Sequence, residues 1–344
     1  MAWGKDNNGK LEQGKHLKTL IVVLNWNSRE MTKECIQSLL AMEGDAFKVM
    51  VVDNGSRDGS AEYLRETFPR IDVTANGRNL GFAAGCNVGM RRALADGADY
   101  VLLVNNDTIA HPGLLRELLK QADDNRDAGI VSPKIYYFKP SDAIWWVGGT
   151  YSCWTGLATH VDLRKKDTGA HDIPRNLDWA TGCVMLLRCE ALRNAGLFDE
   201  QIFGNGEDLD LSLRMRKLGY VVWYAPAAKV WHQEGIDYQK NVGEYVRTFT
   251  LVRNLLWLMH KHAKVYHWIS FWPVFACYYV PKIVVLSASR GDFRSCWAVF
   301  QGIVAFWKML LNPGLSILPD ALRATTRPNV GMENSLEKSV TSPQ

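Results

Sequence analysis

Phe47-Lys48-Val49-Met50-Val51-Val52-Asp53 and Tyr100-Val101-Leu102-Leu103-Val104-Asn105-Asn106-Asp107 are two apolar runs, each closed by a carboxylate. Apolar runs without alternation are the pattern of strands buried on both faces, as in a parallel sheet. Carboxylates at the carboxyl ends of such strands face the crevice where open α/β sheets bind ligands. A third acidic group, Glu207-Asp208, follows the turn Phe203-Gly204-Asn205-Gly206 and opens an amphipathic helix. Three such groups in one crevice suit an acid that reads a base or ribose, a metal ligand and a catalytic base. That is equipment for chemistry on a nucleotide-activated substrate.

The flanking sequence fits this sheet. Leu20-Ile21-Val22-Val23-Leu24 reads as a first buried strand, and Glu30 to Met42 as a helix with Met31, Cys35, Ile36, Leu39 and Leu40 at helical spacing. A short helix runs from Asp58-Gly59-Ser60 to Phe68, a weak strand covers 71–74, and Ala83 to Ala95 reads as a helix. Strands alternating with helices predict βαβ units and a mainly parallel α/β sheet. Beyond Asp107 the spacing predicts a helix over Pro112–Asp124, a strand near 129–135, an irregular Trp-rich stretch over 139–178, and a strand at Val184–Leu187. A helix follows Asp208, then strands at Tyr220–Tyr224 and Val230–His232. The expected division is a flexible 1–17, a catalytic domain over 18–240, a basic, aromatic helical segment over 241–311 and a poorly ordered tail over 312–344.

Charge supports that division. Residues 1–239 hold 28 Lys and Arg against 31 Asp and Glu, whereas 240–311 hold 9 against 2. A neutral-to-acidic body with a basic, aromatic appendage argues against a nucleic-acid partner and for an anionic membrane surface. The 7 cysteines are odd in number and form no Cys-x-x-Cys pair, which points to a reducing compartment and no zinc site. Met1–His16 has no apolar core and is not expected to be a signal peptide. Val265 to Ser287 is 23 residues long and mostly apolar, but Pro273, Pro281, His267 and Lys282 interrupt it. Helices lying in the membrane interface are expected there. A spanning hairpin, or a soluble subdomain pairing with a second copy of the chain, are the alternatives.

Each constellation also has a bland explanation. Asp53-Asn54-Gly55-Ser56 can be a tight turn, with Asp58 capping the next helix. Asn79-Leu80-Gly81-Phe82-Ala83-Ala84-Gly85-Cys86-Asn87 opens a helix; its small residues suit either a phosphate at the helix N-terminus or close helix–sheet packing. Asn105-Asn106-Asp107 fits an Asx turn as well as a cation that keeps most of its water. His232 fits a core histidine as well as a metal ligand. Glu207, Asp208 and Asp210 exceed what helix-dipole complementarity needs.

Taken in order, these segments resemble the inverting GT-A-fold glycosyltransferases of family two, in particular their bacterial rhamnosyltransferase-like branch. The resemblance covers about residues 18–262. It rests on Val22-Val23-Leu24-Asn25-Trp26-Asn27, on the Asp53, Asn79–Asn87 and Asn105–Asp107 segments, on Ala180–Arg188, on Phe198-Asp199-Glu200, on Glu207–Leu211 with Arg214, and on His232. It implies a GT-A sheet as the catalytic domain, to which the basic, aromatic helical segment read above as membrane-associated is joined at the C-terminal side. Asp53 would contact the nucleotide base, and Asn25, Asn27, Asn79, Gly81, Gly85, Asn87 and Asn106 would line the donor site. Asp107 and His232 would serve a Mg²⁺ or Mn²⁺ site. Asp208 would be the general base, with Glu207 beside it. Asn105 stands where the family's metal triplet usually begins with Asp, and Trp26 where a Tyr is usual.

The chemistry these roles imply is a single displacement. A positioned carboxylate deprotonates the acceptor hydroxyl, and a cation offsets charge on the leaving nucleoside diphosphate. The expected reaction is transfer of a sugar, rhamnose from dTDP-rhamnose by resemblance, to a lipid-linked or polymeric glycan acceptor in cell-surface polysaccharide synthesis. The expected location is the cytoplasmic face of the plasma membrane, as a peripheral protein. A catalytically inactive nucleotide-sugar-binding scaffold, or a nucleotidyltransferase, are the competing functions.

Overall fold

The computed structural model describes residues 18–44, 46–233 and 236–312. The expectations for the N-terminal stretch and most of the tail fall outside these residues. The first half alternates as the apolar runs require: β1 (Thr19–Asn25), α1 (Arg29–Leu40), β2 (Phe47–Asp53), α2 (Ser60–Thr67), β3 (Asp72–Ala75), α3 (Phe82–Ala95) and β4 (Tyr100–Asn105). β5 (Thr108–Ala110), α4 (Leu114–Asp124) and β6 (Ala128–Tyr137) follow. Helix α4 shows how these helices are held: Leu114, Leu115, Leu118, Leu119 and Ala122 form one buried stripe against the sheet.

The stretch 139–178 is more regular than its sequence implies. It carries β7 (Ile144–Trp146), the hairpin β8 (Gly149–Ser152) and β9 (Leu157–His160), and β10 (Arg175–Leu177). These strands are three or four residues long, too short for a periodic signal. Then come β11 (Val184–Arg188), α5 (Cys189–Ala195), α6 (Glu207–Lys217) and β12 (Val221–His232). The two runs expected near 220 and 230 are one strand, β12, whose register shifts between Ala225 and Lys229. Pro226 sits in that irregularity, where its missing N–H disturbs no regular ladder.

The strand order is β10-β12-β6-β11-β4-β1-β2-β3, with β5 beside β12 and β7 beside β6. The pairs β1–β2, β1–β4, β2–β3 and β6–β12 are parallel. Strand β11 runs antiparallel between β4 and β6. Consequently the carboxyl ends of β1, β2, β4 and β12 and the start of β11 line one edge of the sheet. All the acidic groups lie at that edge.

Three helices complete the described chain: α7 (Ile236–His262), broken in geometry at Gly243, α8 (His267–Ser289) and α9 (Phe293–Leu311). A π-helical turn at Phe275–Tyr279 precedes Pro281, which cannot donate to the helix ladder. Packing does not pause at residue 240. Leu256 and Met259 of α7, Phe271 and Phe275 of α8, and Phe306 and Met309 of α9 belong to the same apolar core as the sheet. The opposite faces are bare: Val265, Ile269, Val285, Phe293, Trp297 and Phe300 are all exposed. Helix α8 is long and apolar enough to cross a membrane, and little of it is buried.

Candidate active site

Asp53 ends β2, and its carboxylate is fixed from two sides. Oδ1 accepts from Asn25 Nδ2 at 2.7 Å and Oδ2 from the Ser56 N–H at 3.0 Å. Asn25 ends the neighbouring strand β1, so strand pairing sets the two side chains opposite each other. Asn27 lies just beyond, in a left-handed conformation with φ 51°. Its N–H donates to Ser56 Oγ at 2.8 Å, and its Oδ1 accepts from the Arg57 N–H at 2.7 Å. Asp53, Gly55, Ser56, Arg57, Glu62 and Gly77 border an open cleft of about 230 Å³. A carboxylate with fixed geometry at the mouth of a cleft can accept from a base imide or a ribose hydroxyl.

From Asp53 a chain of donors runs to the end of β4. Asn106 Nδ2 donates to Thr32 Oγ1 at 2.9 Å, Thr32 donates to Asn25 Oδ1 at 2.7 Å, and Asn25 donates to Asp53. Thr32 carries no sequence signal beyond being a polar residue on the buried face of α1.

The residues at the start of α3 face inward. Asn54 Nδ2 donates to Asn79 Oδ1 at 3.0 Å and to the Gly81 carbonyl at 3.1 Å. A Cβ on Gly81 would lie 2.5 Å from the Phe203 ring, and one on Gly85 would lie 2.6 Å from Leu24. Asn87 is buried and brackets the Phe198 backbone, donating to its carbonyl at 2.9 Å and accepting from its N–H at 3.1 Å. These four positions set how closely α3 meets the sheet and the segment after α5.

Asp107 follows β4 and faces His232 at the end of β12, with Oδ2 to Nε2 at 3.1 Å. Both residues are buried, and Asp107 Oδ1 and His232 Nδ1 have no hydrogen-bond partner. Burial opposes charge on His232, but the Cys183 sulfur and the Asp107 carboxylate hold its pKa above the usual value. The Trp145 ring stands edge-on to the His232 ring, 4.4 Å between centroids. No cluster of three or more His, Cys, Asp or Glu that could hold a metal occurs among the described residues. An unpartnered buried carboxylate oxygen does fit a hard cation that takes its remaining ligands from a diphosphate and water.

Glu207 and Asp208 open α6. Asp208 Oδ2 accepts from the Gly182 N–H at 2.8 Å, and Oδ1 from its neighbour's Leu209 N–H at 2.7 Å. Glu207 is more deeply buried, and its Oε2 has no partner. Burial and the adjacent Asp208 charge push Glu207 up to about 8. Burial also raises Asp208, while its backbone donors oppose that shift. Near neutral pH Glu207 therefore keeps its proton beside the Asp208 carboxyl. Gly182 precedes β11, and the next carbonyl, that of Cys183, accepts from the Asn105 N–H at 2.8 Å. Asp208 is thus a short backbone path from the Asn105–Asp107 triplet.

The fold and this edge have relatives. A mycobacterial protein, the N-acetylglucosaminyl-diphospho-decaprenol L-rhamnosyltransferase of Mycobacterium tuberculosis, is 25% identical over 240 residues, 62% of this chain and 75% of that protein. Glycosyltransferase GlyG of Streptococcus pneumoniae is 25% identical over 217 residues, covering 61% and 66%. Among solved structures, GalNAc-T7 with UDP, GalNAc and Mn²⁺ superposes with a TM-score of 0.57 at 14% identity, over 72% of this chain and 48% of that one. The mannosyltransferase PcManGT of Pyrobaculum calidifontis, with GDP-Man and Mn²⁺, gives 0.50 at 15% identity, over 92% and 79%. The sheet is therefore of the GT-A type. The profile of the family described as "Glycosyl transferase family 2" matches residues 20–196, just over half of the chain. That stretch runs from β1 through Asp53, Asp107 and Gly182, and on it the chain belongs to glycosyl transferase family 2.

Proposed function

We propose that the protein is an inverting, divalent-cation-assisted glycosyltransferase that uses Asp208 as its general base. The observation that carries this reading is the Asp208 carboxylate, held by the Gly182 and Leu209 N–H groups at the same sheet edge as Asp53 and Asp107. Asp53 and the Asn25–Asn27 turn bind the nucleoside of the donor. Asp107, faced by His232, would hold Mg²⁺ or Mn²⁺, which offsets the charge gathering on the leaving diphosphate. Asp208 takes the proton of the acceptor hydroxyl. The hydroxyl oxygen bonds to the anomeric carbon as the carbon–oxygen bond to the diphosphate breaks on the opposite face, inverting the configuration.

The M. tuberculosis relative's name supports rhamnose as the sugar and a lipid-linked diphosphate glycan as the acceptor. A membrane-side acceptor also suits the bare apolar faces of α8 and α9. These helices and their ends carry Lys264, Lys282, Arg294 and Lys308, all exposed, which would meet the anionic lipids of the cytoplasmic leaflet. The protein would then act as a peripheral enzyme there, since nucleotide sugars are made in the cytoplasm.

A thermal-shift comparison of dTDP-rhamnose, UDP-galactose and GDP-mannose with Mn²⁺ tests the donor, because a ligand bound only by the native state raises its apparent stability. Stabilisation by dTDP-rhamnose above the others is expected, and stabilisation by none would contradict the donor site. Proton NMR of the fresh product tests the stereochemistry; retained anomeric configuration would exclude the single displacement.

A further inference from the structure

One face of α7 is laid along the segment that carries the catalytic pair. Asp199 Oδ2 accepts from Lys261 Nζ at 2.7 Å and from Trp257 Nε1 at 3.1 Å. The Gln201 carbonyl accepts from Arg253 at 3.3 Å. Asn254 Nδ2 donates to the Gly204 and Asn205 carbonyls, each at 2.9 Å. At Gly206 a Cβ would come within 2.8 Å of Leu258. Residues 253, 254, 257, 258 and 261 share a helix face by their spacing, and all of them meet residues of the segment 199–206.

Asn254 is the part of this arrangement that bears on Asp208. The turn before α6 places three consecutive residues in the left-handed region: Gly204 at φ 63°, Asn205 at 75° and Gly206 at 108°. Such a run is not self-supporting, since a non-glycine residue at positive φ costs free energy that its surroundings must supply. Asn254 satisfies both carbonyls that this geometry turns toward α7. It is only 2% exposed, and its own Oδ1 accepts from Arg253 Nε at 3.0 Å and Nη2 at 2.7 Å. Arg253 can only donate, so it fixes which end of the amide faces the turn. Two residues beyond the turn is Asp208.

We propose that Asn254 is a positioning residue that, through the Gly204 and Asn205 carbonyls, fixes the turn that aims Asp208. Helix α7 is in this sense part of the active-site scaffold. The inference rests on Asp208 being the base, and its test separates the two claims.

The test compares wild-type, Asn254→Ala and Asp208→Asn full-length proteins. Asn254→Asp, which keeps the size but loses both donors, is made alongside in case the alanine variant does not fold. Hydrogen exchange needs no substrate: the Gly182 and Leu209 amides report directly whether the Asp208 carboxylate is in place. In the Asn254 variants they are expected to exchange at least tenfold faster, with amides of β1 and β4 unchanged. Turnover of dTDP-rhamnose is expected to fall at least tenfold, with donor KM within about twofold of wild type. Wild-type exchange at Gly182 and Leu209, or faster exchange spread evenly over the sheet, would overturn the positioning role. An active Asp208→Asn protein would overturn the base assignment while leaving the exchange result standing.

Discussion

The Gly182 N–H donates to Asp208 Oδ2 at 2.8 Å across 26 residues of chain. This bond joins the start of β11 to the start of α6, two elements with no common local signal. The residue after Gly182 receives the Asn105 N–H through its carbonyl. The carboxylate assigned as base and the triplet ending in Asp107 are therefore registered against each other by backbone. Their spacing is set by the sheet rather than by flexible side chains.

Thr32 is the middle of the chain from Asn106 to Asp53. Thr32→Val keeps its shape and removes its hydroxyl, leaving the Asn25 carbonyl and Asn106 amide short of a partner. A stability loss of about 1–3 kcal/mol is expected by urea unfolding. Weaker nucleotide binding should accompany it, because Asn25 also orients Asp53. A variant of unchanged stability and affinity would show that the chain carries no constraint.

Glu207 gives a signed dependence on pH. Its pKa rises from an ordinary 4.5 to about 8 in the folded protein. The folded state thus holds the proton more tightly than the unfolded chain does. The stability this supplies is fully present below about pH 4.5 and is lost as pH climbs through about 8. Glu207→Gln has no such loss. Relative to wild type it should gain stability from pH 5 to pH 8, on the order of 3 kcal/mol at the upper end. Parallel denaturation curves with a constant gap across that range would refute the buried-acid reading.

Much of this was legible in the sequence. The apolar runs ending at Asp53 and Asn105 mark buried strands because both faces are covered, and helices α1, α3 and α4 carry their periodicity in plain view. The acids at the strand ends could be named for the same reason. Thr32 and Asn254 could not, since a lone polar residue on a helix's buried face looks the same whether it bonds to a site or to its own backbone. The short strands over 144–177 were hidden by their length. The packing of α7 was hidden by composition: its basic residues suggested a separate segment, yet Lys261 pairs with Asp199 and Asp210, at 2.7 Å each.

Asp107 is expected to be required for divalent-cation binding in the presence of a nucleoside diphosphate. Calorimetry of Mn²⁺ into the dTDP complex should show at least a tenfold weaker affinity in Asp107→Asn, since one neutral oxygen replaces the charged ligand. Unchanged affinity in the variant, or full activity of the wild type in excess chelator, would place the cation elsewhere or dispense with it.

The bare faces of α8 and α9 are expected to bind anionic membranes. Truncation after α7 would uncover core residues such as Leu256, so charge reversal in the full chain is the cleaner test. Replacing Lys264, Lys282, Arg294 and Lys308 together by Glu should abolish flotation with phosphatidylglycerol vesicles, since each basic residue near an anionic leaflet contributes about 1 kcal/mol. Nucleotide binding at the cleft beside Asp53 should persist, because none of the four residues lines it. Equal flotation of both proteins, or a stable dimer of the wild type in solution with no flotation, would assign the face to another partner.

The most direct test of the account is the single-turnover rate of Asp208→Asn with dTDP-rhamnose and an N-acetylglucosaminyl-diphospho-lipid acceptor, measured beside its affinity for the donor. Asparagine keeps an oxygen to accept the Gly182 N–H but takes no proton from the acceptor. The account predicts donor affinity within about twofold of wild type and a rate lower by roughly a hundredfold or more. A variant that transfers sugar at near the wild-type rate would contradict it.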